Sequence, residues 1–319
     1  GGGKAPSPEY HVPVLTAAVA AWATGGQRAV DATAGGGGHT AVLRAAGARV
    51  LAIDRDPAAI AATRARLHGA GAIDGVSYLT APFGSGQALA AIAAFRPDRV
   101  LLDLGLSSHQ VDSADRGFTF RPGAPLDMRM TPDARASAAD ILNEWPEAAL
   151  AACFADFADE PPGRSRRLAR VIAKRRGRAP FATSDDLVNA IRETLGARAG
   201  PSEFARLFQA VRIAVNDERG ELERALPALL AALAPAGRLA VIAYHSGEDR
   251  IVKHTFREWS RSCVCPPRQP ICTCRGRALG RLLTPRAVTP PPAEVGANPR
   301  SRSAKFRSFE KEDAVAGDA

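Results

Sequence analysis

Residues Ala29 to Asp56 read AVDATAGGGGHTAVLRAAGARVLAIDRD. The short apolar run through Val30 predicts a strand, Gly35 to Gly38 a turn stripped of β-carbons, Thr40 to Ala46 a helix, and Arg49 to Ile53 a second strand that ends at Asp54. In a parallel βαβ unit, a carboxylate at the carboxyl end of the second strand stands where ribose hydroxyls bind. The glycines do not follow GxGxxG; the spacing is Asp31-x-x-x-Gly35-x-Gly37-x-His39. That departure predicts an adenosyl ligand without a pyrophosphate rather than a dinucleotide. A glycine run by itself is also what a flexible turn looks like, so the weight rests on the strand context and on Asp54.

The same alternation continues on both sides. Strands are expected at Ala29 to Ala32, Arg49 to Ile53, Val76 to Thr80 and Arg99 to Leu104, with helical spacers at His11 to Ala23, Thr40 to Ala46, Pro57 to Leu67 and Gly86 to Phe95. Strand and helix in strict alternation imply an α/β protein with a doubly wound, Rossmann-like parallel sheet. From His109 to Gly200 the strand pattern stops and helical segments follow, around Ser137 to Asn143, Trp145 to Phe157, Arg166 to Arg176 and Thr183 to Leu195. A long helical region, Glu203 to Leu233, and a strand at Arg238 to Tyr244 then resume the sheet pattern. The expected organisation is one discontinuous α/β domain, 1–108 and 201–319, interrupted by an inserted all-helical domain at 109–200. Beyond Cys263 the chain is Pro- and Arg-rich and reads as an extended tail, with a closing strand near Phe306.

The 319 residues carry 42 Lys and Arg against 33 Asp and Glu, a net charge of +9. The positive charge is clustered. Arg164 to Arg178 contains eight basic residues and no acid, and a helix there that buries Leu168, Val171 and Ile172 gathers Arg167, Arg170 and Lys174 on another face. A second cluster, Arg300, Arg302, Lys305 and Arg307, lies near the C-terminus. Either could be a solvated face; together they suit a phosphate-rich partner, nucleic acid above all. With no apolar run of about 18 residues and no signal peptide, the chain is expected to be soluble and cytosolic, without a membrane partner.

Asp103 closes the fourth strand in LLDLGLSS, which projects it into the same crevice as Gly37 and Asp54. A carboxylate ending so apolar a run is costly to bury unpaired, so the alternative role is an N-cap or a bond to the Ser107-Ser108 turn. Cys263, Cys265, Cys272 and Cys274 form CxC-x6-CxC. Three states stay open for them: a structural zinc, a reduced loop clamped by prolines, and disulfides. The usual zinc knuckle is CxxC, so the primary expectation is no metal, with zinc as the alternative. Cys153 reads as a core residue.

The motifs HVPVL (11–15), DATAGGGGHT (31–40), AIDRDPAAI (52–60), DLGLSSHQVD (103–112), RGFTF (116–120), PLDMRM (125–130), FQAVRIAVNDE (208–218), YHSGEDRIVK (244–253) and NPRSRSAKFR (298–307) together resemble the RsmH (MraW) family of bacterial methyltransferases. The resemblance runs in order over nearly the whole chain. It implies a class I methyltransferase sheet and S-adenosylmethionine as methyl donor. The implied substrate is the 4-amino group of a cytidine in small-subunit (16S) ribosomal RNA, within an assembled or nearly assembled 30S subunit. It further implies donor contacts at Gly37, Gly38 and His39, at Asp54 through the ribose, at Phe83 beside the adenine, and at Asp103 and Gln110 near the methionine end. The helical insert is implied to help hold RNA. The chain departs from the family at Gly247, where a leucine is usual. Oligomeric state stays open between a single chain and a homodimer.

For such chemistry the acceptor for the cytosine amino hydrogens is Asp103 first, His245 second and Asn216 third; His39 at a helix start is more simply a cap or hydrogen-bond donor than a base. The common amino-methylating motif D/N-P-P-aromatic is missing at Asp103, so base stacking falls to Phe118, Phe120 or Tyr244. Its absence also counts against a cytosine-amino DNA methyltransferase. A non-catalytic ribosome-assembly factor that binds the donor as a structural ligand is the other rival.

Overall fold

The computed structural model describes residues 13–71, 74–105, 119–130 and 136–313. The chain divides into two compact units, residues 1–105 with 222–319 and residues 106–221.

In the first unit the strands are β1 (Arg28–Asp31), β2 (Arg49–Asp54), β3 (Val76–Thr80), β4 (Arg99–Asp103), β5 (Arg238–Ala243), β6 (Gly280–Leu282) and β7 (Lys305–Lys311). They form one sheet in the order β3-β2-β1-β4-β5-β7-β6. The first five are parallel, β7 runs antiparallel to β5, and β6 runs antiparallel to β7. This is the doubly wound α/β fold, and strand order reverses between β1 and β4, where such sheets open a ligand crevice. The helices of this unit are α1 (Thr16–Ala23), α2 (Gly38–Ala45), α3 (Pro57–Gly69) and α4 (Gly86–Phe95), then most of α10 (Glu218–Ala232), α11 (Ser246–Trp259) and the short α12 (Pro292–Ala297).

Alternation along each strand supplies two apolar faces. Val30, Leu51, Val100, Leu102, Leu239 and Val241 pack in one cluster with Ile92, Leu226, Phe256 and Phe309. Ala29, Val50, Leu101, Ala240 and Ile242 pack in the other with Val19, Trp22, Leu43 and Phe306. Caps set the helix starts that matter here. Asp56 accepts the Ala58 N–H at 2.9 Å ahead of Pro57 in α3, and Ser85 accepts the Ala88 N–H at 3.1 Å at α4. The first helix begins at Thr16, later than its Ala- and Leu-rich sequence suggests, because Leu15 sits in the left-handed region at φ 54°.

The second unit contains α5 (Ala138–Glu144), α6 (Glu147–Ala158), α7 (Pro162–Arg176), α8 (Ser184–Leu195) and α9 (Pro201–Asn216) around its own core, which includes Ile141, Leu142, Phe154, Leu168, Ile172, Leu187, Ile191, Phe204, Leu207 and Phe208. This unit runs past the expected limit at residue 200 and ends at Glu221, because the apolar stripe of α9 is buried in the helical core rather than against the sheet. The region 203–233 is also two helices, not one: Asp217 turns left-handed at φ 47° between α9 and α10. The Pro-rich tail is more structured than its composition suggests, contributing β6, α12, a 3-10 turn at Pro299–Ser303 and β7. No described helix is long and apolar enough to cross a membrane.

Candidate active site

The loop from β1 to α2 turns twice through positive φ, at Gly35 (52°) and Gly37 (78°). At Gly37 a β-carbon would also stand 2.9 Å from the Thr63 Cα, and at Gly38 it would stand 3.0 Å from the Pro13 Cβ. Glycine is therefore needed there by the chain's own packing, in addition to any ligand. Thr63 ties the loop to α3 by donating its hydroxyl to the Gly35 carbonyl at 3.0 Å. Asp54, at the end of β2, holds the loop from the other side: its Oδ2 accepts the Gly35 N–H at 2.9 Å and its Oδ1 the Asp56 N–H at 2.8 Å. Burial raises the Asp54 carboxyl above the usual carboxylate range, against the pull of those two N–H groups. Each carboxylate oxygen keeps a second lone pair, which is the capacity needed to accept a pair of ribose hydroxyls.

Asp103 ends β4 beside this loop. Its backbone N–H donates to the Thr33 hydroxyl at 2.6 Å, and its Oδ1 accepts the Gly105 N–H at 3.3 Å. Its Oδ2 lies 3.1 Å from the Nε2 of His39, in the first turn of α2. The contact is an ion pair rather than a well-directed hydrogen bond, and neither His39 nitrogen has a directed partner among the described residues. Burial opposes a charged imidazole, but Asp103, then Asp31 and Glu294, outweigh it and raise the His39 pKa. Tyr244, just past β5, lays its ring where a Gly105 β-carbon would be, 2.7 Å from its Cε2, beside Asp103. Burial first, and the negative charge of Asp103 beside it, push the Tyr244 hydroxyl pKa up, so it stays protonated.

Two members of this group escaped the sequence reading as functional residues. Asp31 is fully buried, accepts the Thr40 hydroxyl at 2.6 Å, and has its carboxyl pushed up to about 6 by burial. The available signal was an acid closing a strand one turn ahead of the glycines. Glu294 comes from α12 in the Pro-rich tail and accepts the Leu15 N–H at 2.7 Å; nothing local in the sequence marks it. Asp31, Asp103 and Glu294 make the crevice acidic around one imidazole. That donor set fits an adenosyl ligand bearing a sulfonium cation and would repel a pyrophosphate.

Several expected residues are placed elsewhere or otherwise engaged. Phe83 is 8% exposed in the apolar cluster over one sheet face, so little of its ring remains for an adenine. His245 begins α11 as its cap residue, with Nε2 3.1 Å from Glu248 Oε1. Asp249 is an anchor for β7: Arg307 grips it at 2.7 and 3.2 Å, and Lys305 reaches it at 3.3 Å. Those two cations are thereby withdrawn from the expected C-terminal basic cluster, leaving Arg300 and Arg302, exposed on the 3-10 turn. Asn216 belongs to the helical unit, where its amide donates to the Met128 and Arg212 carbonyls and accepts the Met130 N–H, all at 2.9 Å. Its amide is thus spent on holding the PLDMRM segment. Phe120 packs tilted against Phe204 and edge-on against Phe208 in the same core, with ring centroids 5.9 and 6.0 Å away, so it is a core ring rather than a free stacking platform. Gln110 and Phe118 lie outside the described residues.

On α7, Leu168 and Ile172 are buried and Val171 half-buried, while Arg167, Arg170 and Lys174 are exposed. Their basic neighbours have structural duties: Arg175 pairs with Glu193 at 2.8 Å, Arg164 with Glu160 at 3.5 Å, and Arg176 donates to the Leu142 and Trp145 carbonyls. Arg170 lies 3.9 Å from Glu147, both largely in solvent, a contact worth little.

The model of the MraW methylase family matches residues 9–312. The Ribosomal RNA small subunit methyltransferase H of Gemmatimonas aurantiaca is 53% identical over 303 residues, covering 94% of this chain and 95% of that protein. The protein of the same name from Heliobacterium modesticaldum is 46% identical over 290 residues, covering 88% of this chain and 91% of its own. This chain belongs to the MraW methylase family.

Proposed function

We propose that this chain methylates the exocyclic 4-amino group of a specific cytidine in small-subunit (16S) ribosomal RNA, using S-adenosylmethionine, on an assembled or nearly assembled 30S subunit in the cytoplasm. The observation that carries the reading is the Asp103 carboxylate, fixed between His39 and Tyr244 at the mouth of the sheet beside the glycine turn and Asp54. Family membership and the ribosomal relatives supply the substrate class.

S-adenosylmethionine supplies a methyl group on a positively charged sulfur. In this reading Gly37 and Gly38 let the backbone approach the donor, Asp54 takes the ribose hydroxyls, only the small exposed edge of Phe83 borders the adenine, and Asp103 and His39 face the methionine end. The cytosine amino nitrogen is a poor nucleophile because its lone pair is conjugated into the ring. Its attack needs alignment and an acceptor for the amino hydrogens as the nitrogen becomes cationic. Asp103 fills that role, oriented by the His39 ion pair and the Tyr244 hydroxyl. His245 is the second candidate; Asn216, with its amide already used, is the weakest. Arg167, Arg170 and Lys174 on α7, and Arg300 and Arg302 on the 3-10 turn, contact RNA phosphates.

The test is transfer of labelled methyl groups to naked 16S RNA, immature and mature 30S subunits, and DNA, followed by nucleoside analysis. Label is expected as N4-methylcytidine in the ribosomal substrate. Label on another atom or in DNA overturns the substrate assignment, and donor binding without transfer to any of the four marks a non-catalytic assembly factor.

A further inference from the structure

We propose that Cys263, Cys265, Cys272 and Cys274 bind one zinc ion as a closed tetrathiolate site that holds the loop between α11 and β6. The site is independent of the methyl-transfer reading.

The four sulfurs all lie within 4.8 Å of one another. Cys263 to Cys272 is 3.8 Å, Cys265 to Cys272 3.8 Å, Cys272 to Cys274 3.4 Å, and Cys263 to Cys274 3.9 Å. Four thiolates at about 2.3 Å from a central zinc form a tetrahedron whose edges are about 3.8 Å. A disulfide would instead draw two sulfurs to about 2.05 Å and leave the pairs apart; the four cysteines are free, and no two of their sulfurs are more than 4.8 Å apart. The two CxC arms thus meet the geometric demand, each arm supplying two corners. The Val264 N–H points at Cys274 Sγ at 3.3 Å, a backbone bond of the kind that orients a metal-bound thiolate.

The segment also needs a staple. From Arg261 to Ala278 no residue is buried, and Ile271 at the tip is 74% exposed. A stretch without a core of its own is held by something other than apolar burial. Local bonds prepare the arms without closing them. Gln269 N–H returns to the Pro266 carbonyl at 3.1 Å, and Gln269 Nε2 reaches Thr273 Oγ1 at 2.7 Å. Arg275 fastens the second arm to the end of α11 through Glu258 Oε1 at 3.1 Å and the Arg261 carbonyl at 3.1 Å. A zinc with four thiolates carries a net charge of about −2, and Arg261, Arg268, Arg275 and Arg277 lie in the same stretch to balance it. With all four positions taken by sulfur, no site remains for water, so the metal is structural.

The full-length chain, purified under reducing conditions without added metal, should carry about one zinc per chain, with zinc–sulfur distances of about 2.3 Å by X-ray absorption. Removing the metal with a chelator should expose the 261–278 segment to proteolysis, and cobalt(II) added to that metal-free chain should give the thiolate charge-transfer and visible bands of a tetrahedral sulfur site. Cys272→Ala should lose both the zinc and the cobalt spectrum. A chain that carries no zinc and gives no such cobalt spectrum overturns the proposal, whether its thiols are free or paired as disulfides; so does stoichiometric iron in place of zinc.

Discussion

His39 Nε2 stands 3.1 Å from Asp103 Oδ2, which joins the first turn after the glycine loop to the last residue of β4. The pair crosses the point where the order of the parallel strands reverses, and Tyr244 from the next strand completes it. Asp103→Asn keeps the size and one acceptor oxygen but removes the charge. The methyl-transfer rate is expected to fall by about 100-fold or more, with donor affinity changing less than the rate. The His39 pKa, raised in part by Asp103, should move down in the same variant, read by NMR titration of the ring. Affinity falling as far as the rate would make Asp103 mainly a donor ligand and pass the acceptor role to His245.

Asp54 couples the donor site to the fold. Asp54→Ala removes the acceptors of the Gly35 and Asp56 N–H groups together with the proposed ribose contact. Calorimetry should show S-adenosylmethionine binding weakened by about 2–3 kcal/mol, and thermal unfolding should show a smaller loss of stability, about 1–2 kcal/mol. Unchanged donor affinity would remove Asp54 from the site.

Asp31 gives a pH signature. Its folded-state carboxyl is pushed up to about 6 by burial, while in the unfolded chain it titrates near about 3.9. The folded state therefore holds this proton more tightly between those values, and the contribution of Asp31 makes the fold less stable as pH rises from about 4 to 6, by about 3 kcal/mol in total. Asp31→Asn removes that titration. The stability of the native chain relative to the variant should fall across this window in denaturant unfolding, and parallel pH profiles for the two proteins would contradict the assignment.

The basic face of α7 is tested by salt. Replacing Arg167, Arg170 and Lys174 with Ala should weaken RNA binding and reduce the slope of log affinity against log salt by up to about three units, with donor binding intact. All three side chains are exposed, so helix stability should change little. A slope equal to that of the native chain would leave the cluster as a solvated face.

The sheet, the glycine turn and the two acidic strand ends are legible in the amino-acid sequence. Short unbroken apolar runs in Arg49–Asp54 and Arg99–Asp103, and helical periodicity between them, are local signals, and Asp54 and Asp103 take their places from strand length alone. The motifs also carried the family. The rest of the site depends on residues brought together across long separations. Glu294 reaches Leu15 from 279 residues away, and Asp249 is claimed by Arg307 from β7 rather than by the site. The cost of Asp31 is a matter of burial, which no residue carries in its own neighbourhood of the chain. Asn216 and Phe120 show the same limit in the helical unit, where polar and aromatic side chains with plausible chemistry are taken up by carbonyls and rings that periodicity cannot pair. The end of that unit at Glu221 and the break at Asp217 follow from which core the stripe of α9 joins. Periodicity says that a face is apolar; only closure of the chain in space says what covers it.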